Sequence, residues 1–178
     1  MNYLLKSAGL DPAKDVTIEY KSEATEVATM LATSGNAIAM LPQPYATTVM
    51  SQNPNVKIAL DVTEQWEKYA GKNSTVVTGV VAVNSDFADK NPDAVQKFIK
   101  EYKESVSFVN ANVDGAAQLV EDFGIFNAQV AKKAIPYCNI TFIEGSEMKT
   151  KVSAYLKVLF DQNAASVGGV MPGDDFYK

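Results

Sequence analysis

Asn36-Ala37-Ile38-Ala39-Met40-Leu41-Pro42-Gln43-Pro44-Tyr45 is the stretch on which the fold class turns. It reads as a short, wholly apolar strand, Ala37–Leu41, that stops at Pro42-Gln43-Pro44 and gives way to a helix opening at Tyr45. A strand this apolar is expected to be buried on both faces, as parallel strands in layered α/β proteins are. Neither proline can donate a ladder hydrogen bond, so the strand ends there. The helix that follows begins with backbone N–H groups that favour an anionic or polar partner. In open α/β sheets ligands sit outside the carboxyl ends of strands, so Leu41–Tyr45 is a candidate ligand-facing loop. The same pattern also fits a plain strand-to-helix connection in a core.

Upstream, residues 2–9 read as the last turns of a helix that Gly9 stops. The helix has no visible start, which suggests that the chain begins in mid-structure. Asp11-Pro12 turns the chain into an alternating strand, Val16–Tyr20. Ser22 is the expected N-cap of a helix carrying Val27, Met30 and Leu31 on one face, with Gly35 at its end. Downstream, a helix over Tyr45–Ser51 leads through Asn53-Pro54-Asn55 to a strand, Val56–Val62. Helix and strand alternate through the first sixty residues, the signature of a parallel α/β layer. Thr63–Ala70 is expected to be a short helix capped by Thr63 and containing the sole tryptophan, Trp66. Thr75–Asn84 is the longest strand-like run, β-branched on both sides of Gly79. That glycine marks a bulge, a bend or the close approach of another group, or is tolerated for packing.

Beyond Asn84 the composition favours helices. Asn91-Pro92 is a helix start, with Val95, Phe98, Ile99, Tyr102, Val106 and Val109 at helical spacing. Val113–Phe123 and Asn127–Ala134 follow, ended by Gly124 and Pro136. Tyr137–Ile143 is ambiguous. Gly145–Gln162 is a long amphipathic helix, with Met148, Val152, Tyr155, Leu156, Leu159 and Phe160 on its apolar face.

The 178 residues carry a net charge of −5, with 47% hydrophobic and 21% charged residues, an ordinary globular balance. No basic stripe suggests nucleic acid, and no apolar run approaches a membrane span. Met1 leads directly into Asn-Tyr-Leu-Leu-Lys, without the pattern of an export signal. One cysteine, Cys138, excludes an internal disulfide and a thiolate zinc cluster. The chain has no histidine, which removes Ser-His-Asp and Cys-His nucleophile activation, imidazole metal ligation and the usual general base near neutral pH. Adjacent acids (Glu121-Asp122, Asp174-Asp175) read as solvated surface, and Val167-Gly-Gly-Val lacks the spacing and following helix of a phosphate loop. The balance favours a binding protein over an enzyme, with no catalytic residue, metal or cofactor expected. Small polar and aromatic groups at the expected strand ends, Ser22, Glu23, Gln43, Tyr45, Thr78 and Gly79, suit a small-molecule pocket. Trp66 offers a stacking surface, or a core packing residue.

The runs Asn2-Tyr-Leu-Leu-Lys, Gly9-Leu-Asp-Pro, Val16-Thr-Ile-Glu-Tyr-Lys-Ser-Glu and Ala37-Ile-Ala-Met-Leu-Pro-Gln-Pro-Tyr resemble the second lobe of ABC-transporter substrate-binding proteins, in the subgroup that takes sulfonates, nitrate and thiamine precursors. Thr78-Gly79-Val-Val-Ala-Val-Asn, Asn91-Pro92-Asp-Ala-Val, Ala134-Ile-Pro-Tyr-Cys-Asn-Ile and the Val167-Gly-Gly…Asp175-Phe-Tyr ending follow in the same order. The resemblance covers essentially the whole chain.

It implies an incomplete α/β fold of the type II periplasmic-binding-protein kind: lobe two over 1–80 without its first strand, a hinge strand over 75–84, and helices of 85–178 returning to lobe one. It implies an extracytoplasmic solute-binding component of an ABC importer, periplasmic or a cell-surface lipoprotein in full length, that works with permease subunits. A small organic ligand would be captured in an interlobe cleft by Ser22, Glu23, Gln43, Tyr45, Thr78, Gly79 and Trp66. Most of lobe one is missing from the pattern, so the resemblance also implies impaired binding and self-association through the exposed lobe interface. An effector-binding domain of a transcription regulator shares the implied fold. A pyrimidine-synthase-like enzyme does too, but lacks its histidine here.

Overall fold

The structure, a computed structural model, describes residues 1–177. Helices account for 59% of the chain, and no strand or sheet forms among the described residues, so the fold is all-α and the expected α/β layer is overturned. The helices are α1 (Asn2–Ser7), α2 (Ala24–Thr33), α3 (Tyr45–Gln52), α4 (Val62–Ala70), α5 (Ser85–Lys90), α6 (Pro92–Ala111), α7 (Val113–Asp122), α8 (Ala128–Ala134) and α9 (Gly145–Gln162), with short 3-10 turns at Ile135–Tyr137, Ala164–Val167 and Asp174–Phe176.

The four expected strands, 16–20, 37–41, 56–62 and 75–84, are non-helical almost throughout, with no ladder; Val62 already belongs to α4. Many of their apolar side chains face solvent: Ile38 is fully exposed, and Met40, Ile58, Leu60, Val80, Val81 and Val83 are exposed as well, while Val16, Ile18, Leu41, Val56, Val76 and Val77 are half-buried. Strand propensity records how well a side chain fits a pleated surface beside neighbouring strands; it does not supply the neighbour. Here no segment meets a partner, so the pattern persists without the sheet.

The chain divides into two interleaved units. It passes between them after Glu19, Ile58, Ala82 and Phe142, each time in residues outside any helix. The first unit holds Met1–Glu19, Ala59–Ala82 and the residues from Ile143 on. In it α1 packs on α4, and α9 on the Ala164–Val167 turn. Its centre is aromatic. Trp66 is buried at 6% exposure, its ring 4.9 Å from that of Tyr3 and 5.1 Å from that of Tyr155. Its indole N–H donates to Ser74 Oγ at 2.8 Å, and Ser74 is itself buried. Gly9 closes α1 at φ +83°, a conformation open to glycine, while Leu10 N–H reaches back to the Leu5 carbonyl.

The second unit holds Tyr20–Ile58 and Val83–Phe142. Ala116, Ala117, Ala131 and Ile135 form its buried cluster, with Val109, Val113 and Val120 against it. Three of the four buried residues are alanines, which let α7 and α8 approach closely. Elsewhere α2 packs on α3, where Val49 and Thr47 are buried, and α3 meets α8. Asn53 ties the pair by donating from Nδ2 to the Ala32 carbonyl at 3.3 Å. Cys138 donates its thiol to the Ala134 carbonyl at 3.3 Å, and burial pushes its pKa up, which keeps it neutral. No helix among the described residues is long and apolar enough to cross a membrane.

Candidate functional site

The loop Leu41–Tyr45 leads into α3 at the expected residue, through a cis peptide between Gln43 and Pro44. Its hydrogen bonding is more closed than the sequence suggests. An isolated helix leaves its first four N–H groups free. Here Ala46 N–H donates to the Pro42 carbonyl at 3.1 Å and Thr48 N–H to the Pro44 carbonyl at 2.9 Å. Thr47 N–H donates to Gln43 Oε1 at 3.3 Å, and Thr47 Oγ1 donates to the same oxygen at 2.7 Å. Gln43 thus caps the helix from within the loop through its side-chain oxygen.

Three donors at this turn keep no partner among the described residues: the Gln43 amide NH2, the Tyr45 backbone N–H and the Tyr45 hydroxyl. The expectation of a helix start open to an anion narrows to this set. The Gln43 carbonyl is occupied, so the amide is held in one orientation with its nitrogen left over. Tyr45 is half-buried and meets Phe126 edge-on, with ring centroids 5.6 Å apart. An apolar wall and a few fixed donors are the elements from which small-molecule sites are built.

Ser22 and Glu23 lie in the same unit, at the start of α2. Ser22 is not the N-cap: Glu23 occupies that position, in an extended conformation and with no side-chain capping bond. Both side chains are exposed, and no hydrogen bond joins either to Gln43 or Tyr45. Trp66, Thr78 and Gly79 belong to the first unit. Trp66 occupies the aromatic core described above. Thr78 and Gly79 are exposed in the unpaired 75–82 run. A Cβ at Gly79 would meet nothing within 4 Å, and its φ lies outside the left-handed range, so neither crowding nor backbone conformation demands glycine there.

Two residues that shape the loop escaped the sequence reading. Thr47 was legible, because Gln43 and Thr47 are four apart, the spacing at which side chains meet across a helical turn. Phe126 was not, since no local pattern links a loop after α7 to the start of α3. Among the described residues no group of three or more acidic or cysteine side chains is placed to hold a metal ion. No protein-family model, curated protein or solved structure matches the chain.

Proposed function

We propose that the chain captures a small organic ligand as the extracytoplasmic solute-binding component of an ABC importer, with permease subunits as its partners. The observation that carries the reading is the donor set at Gln43–Tyr45. An amide fixed through its oxygen, a free backbone N–H and a free phenol stand together at a helix start beside an aromatic wall. Two pure donors and a hydroxyl suit a ligand rich in acceptor oxygens, such as a sulfonate, a carboxylate or a pyrimidine carbonyl. The order of sequence segments shared with substrate-binding proteins supports the same reading. The donor set itself lies in a loop and a helix start and needs no sheet, which the described residues do not form.

A thermal-shift screen against small sulfonates, nitrate, carboxylates and pyrimidines tests it. A ligand at a hundred times its dissociation constant stabilises its protein by about 2.7 kcal/mol. One chemical class is expected to raise the melting temperature, and Gln43→Glu is expected to abolish that rise. The glutamate keeps an oxygen for Thr47 and puts a negatively charged acceptor where the NH2 donor stood, so it opposes an acceptor-rich ligand both by the lost donor and by its charge. Absence of any shift, or a shift that survives Gln43→Glu, contradicts the proposal.

A further inference from the structure

Thr75-Val-Val-Thr-Gly-Val-Val-Ala82 runs without a turn or bend, and its backbone N–H and C=O groups have no partner among the described residues. Such a row of free donors and acceptors is a template for another strand. From Ser74 to Ser85 the sequence carries no charged residue and no proline, so neither of these two common blunting devices is present, and the run goes from half-buried at Thr75–Val77 to exposed from Thr78 on. Val80 and Val81 are 66% and 57% exposed.

The run is also close to symmetric about Gly79. An antiparallel copy centred there sets Thr78 opposite Val80, Val77 opposite Val81 and Val76 opposite Ala82. Each pair is small or β-branched, the type that packs well across strands. A contact of this kind is isologous, closing on itself as a two-fold dimer.

We infer that Thr75–Ala82 is a dimerisation edge, on which a second copy of this chain pairs antiparallel with Gly79 at the two-fold axis. Light scattering behind size exclusion is expected to show a dimer that Val80→Lys converts to a monomer. Val170→Lys is expected to leave the dimer intact. Val170 is an equally exposed valine, at 67%, in the C-terminal loop, so the pair separates loss of the edge from loss of an apolar side chain.

A second variant fixes the register. Directly opposed antiparallel residues lie about 4.5–5.5 Å apart at Cα, inside the range a disulfide spans. Gly79→Cys in a Cys138→Ala background is therefore expected to form an interchain disulfide with oxidised glutathione, and the open space at Gly79 admits the side chain. A monomeric wild type overturns the inference, including one whose circular dichroism shows the segment paired within its own chain. So does a dimer that withstands Val80→Lys, or one in which Gly79→Cys fails to cross-link.

Discussion

Trp66 shows how one side chain can be settled by where its polar atom goes. A tryptophan that stacks on a ligand keeps a face open and its N–H near solvent. Trp66 instead packs against Tyr3 and Tyr155 and spends its N–H on Ser74. Both partners of that bond are buried, so removing one leaves the other without a partner. Ser74→Ala is expected to destabilise the first unit by about 1–3 kcal/mol. The sole tryptophan reports on this directly, because its fluorescence follows the unfolding of its own surroundings in urea. A midpoint unmoved by Ser74→Ala would mean that water replaces the hydroxyl. Gln43 follows the same logic in reverse: its oxygen is bound and its nitrogen is left over, so it is a candidate for ligand contact where Trp66 is not.

At the scale of elements, local chemistry was legible and non-local pairing was not. The i, i+4 pattern of α9 gave Gly145–Gln162 residue for residue, and α3 began at Tyr45 as read. Helices are legible because both ends of each bond lie within one turn. Their caps were less so. Thr63 was the expected cap of α4, yet Asp61 holds the position, its Oδ1 accepting from Thr63 N–H at 2.7 Å and Glu64 N–H at 3.1 Å. A carboxylate there accepts more strongly than a hydroxyl and also faces the positive end of the helix dipole. Asp61→Ala is expected to cost about 1 kcal/mol, within the usual range for a lost cap. Thermal denaturation followed at 222 nm checks this, and an unchanged transition removes the cap from the account. The six-residue α5, capped when Asn84 Oδ1 accepts from Phe87 N–H, was too short to show a period. The four strand-like runs carried the right residues for strands, but their partners are not specified by any local pattern. For the candidate site, the loop and its Gln43–Thr47 pair could be read from spacing, whereas Phe126 reaches Tyr45 only through the packing of α3 on α8.

For the whole molecule, the distribution of unpaired backbone decides where the chain is vulnerable. Proteases need several residues free of helix or ladder, and exposed segments without either open at the lowest cost. Ala37–Leu41 and Thr75–Ala82 both meet that description, and both carry the apolar residues that thermolysin prefers. Under native conditions the first cuts are expected in these two runs and not in α6, whose backbone is bonded from Pro92 to Ala111. Dimerisation separates the two runs, because a second copy covers only Thr75–Ala82. Raising protein concentration is therefore expected to slow cleavage there while leaving the rate at Ala37–Leu41 unchanged, and Val80→Lys is expected to remove the difference. Peptide mapping over a dilution series measures both rates in one sample. Equal protection of the two runs would point to pairing within the chain. Cuts that begin in α6 would mean that the helical units, and not the extended runs, are the weakest part of the molecule.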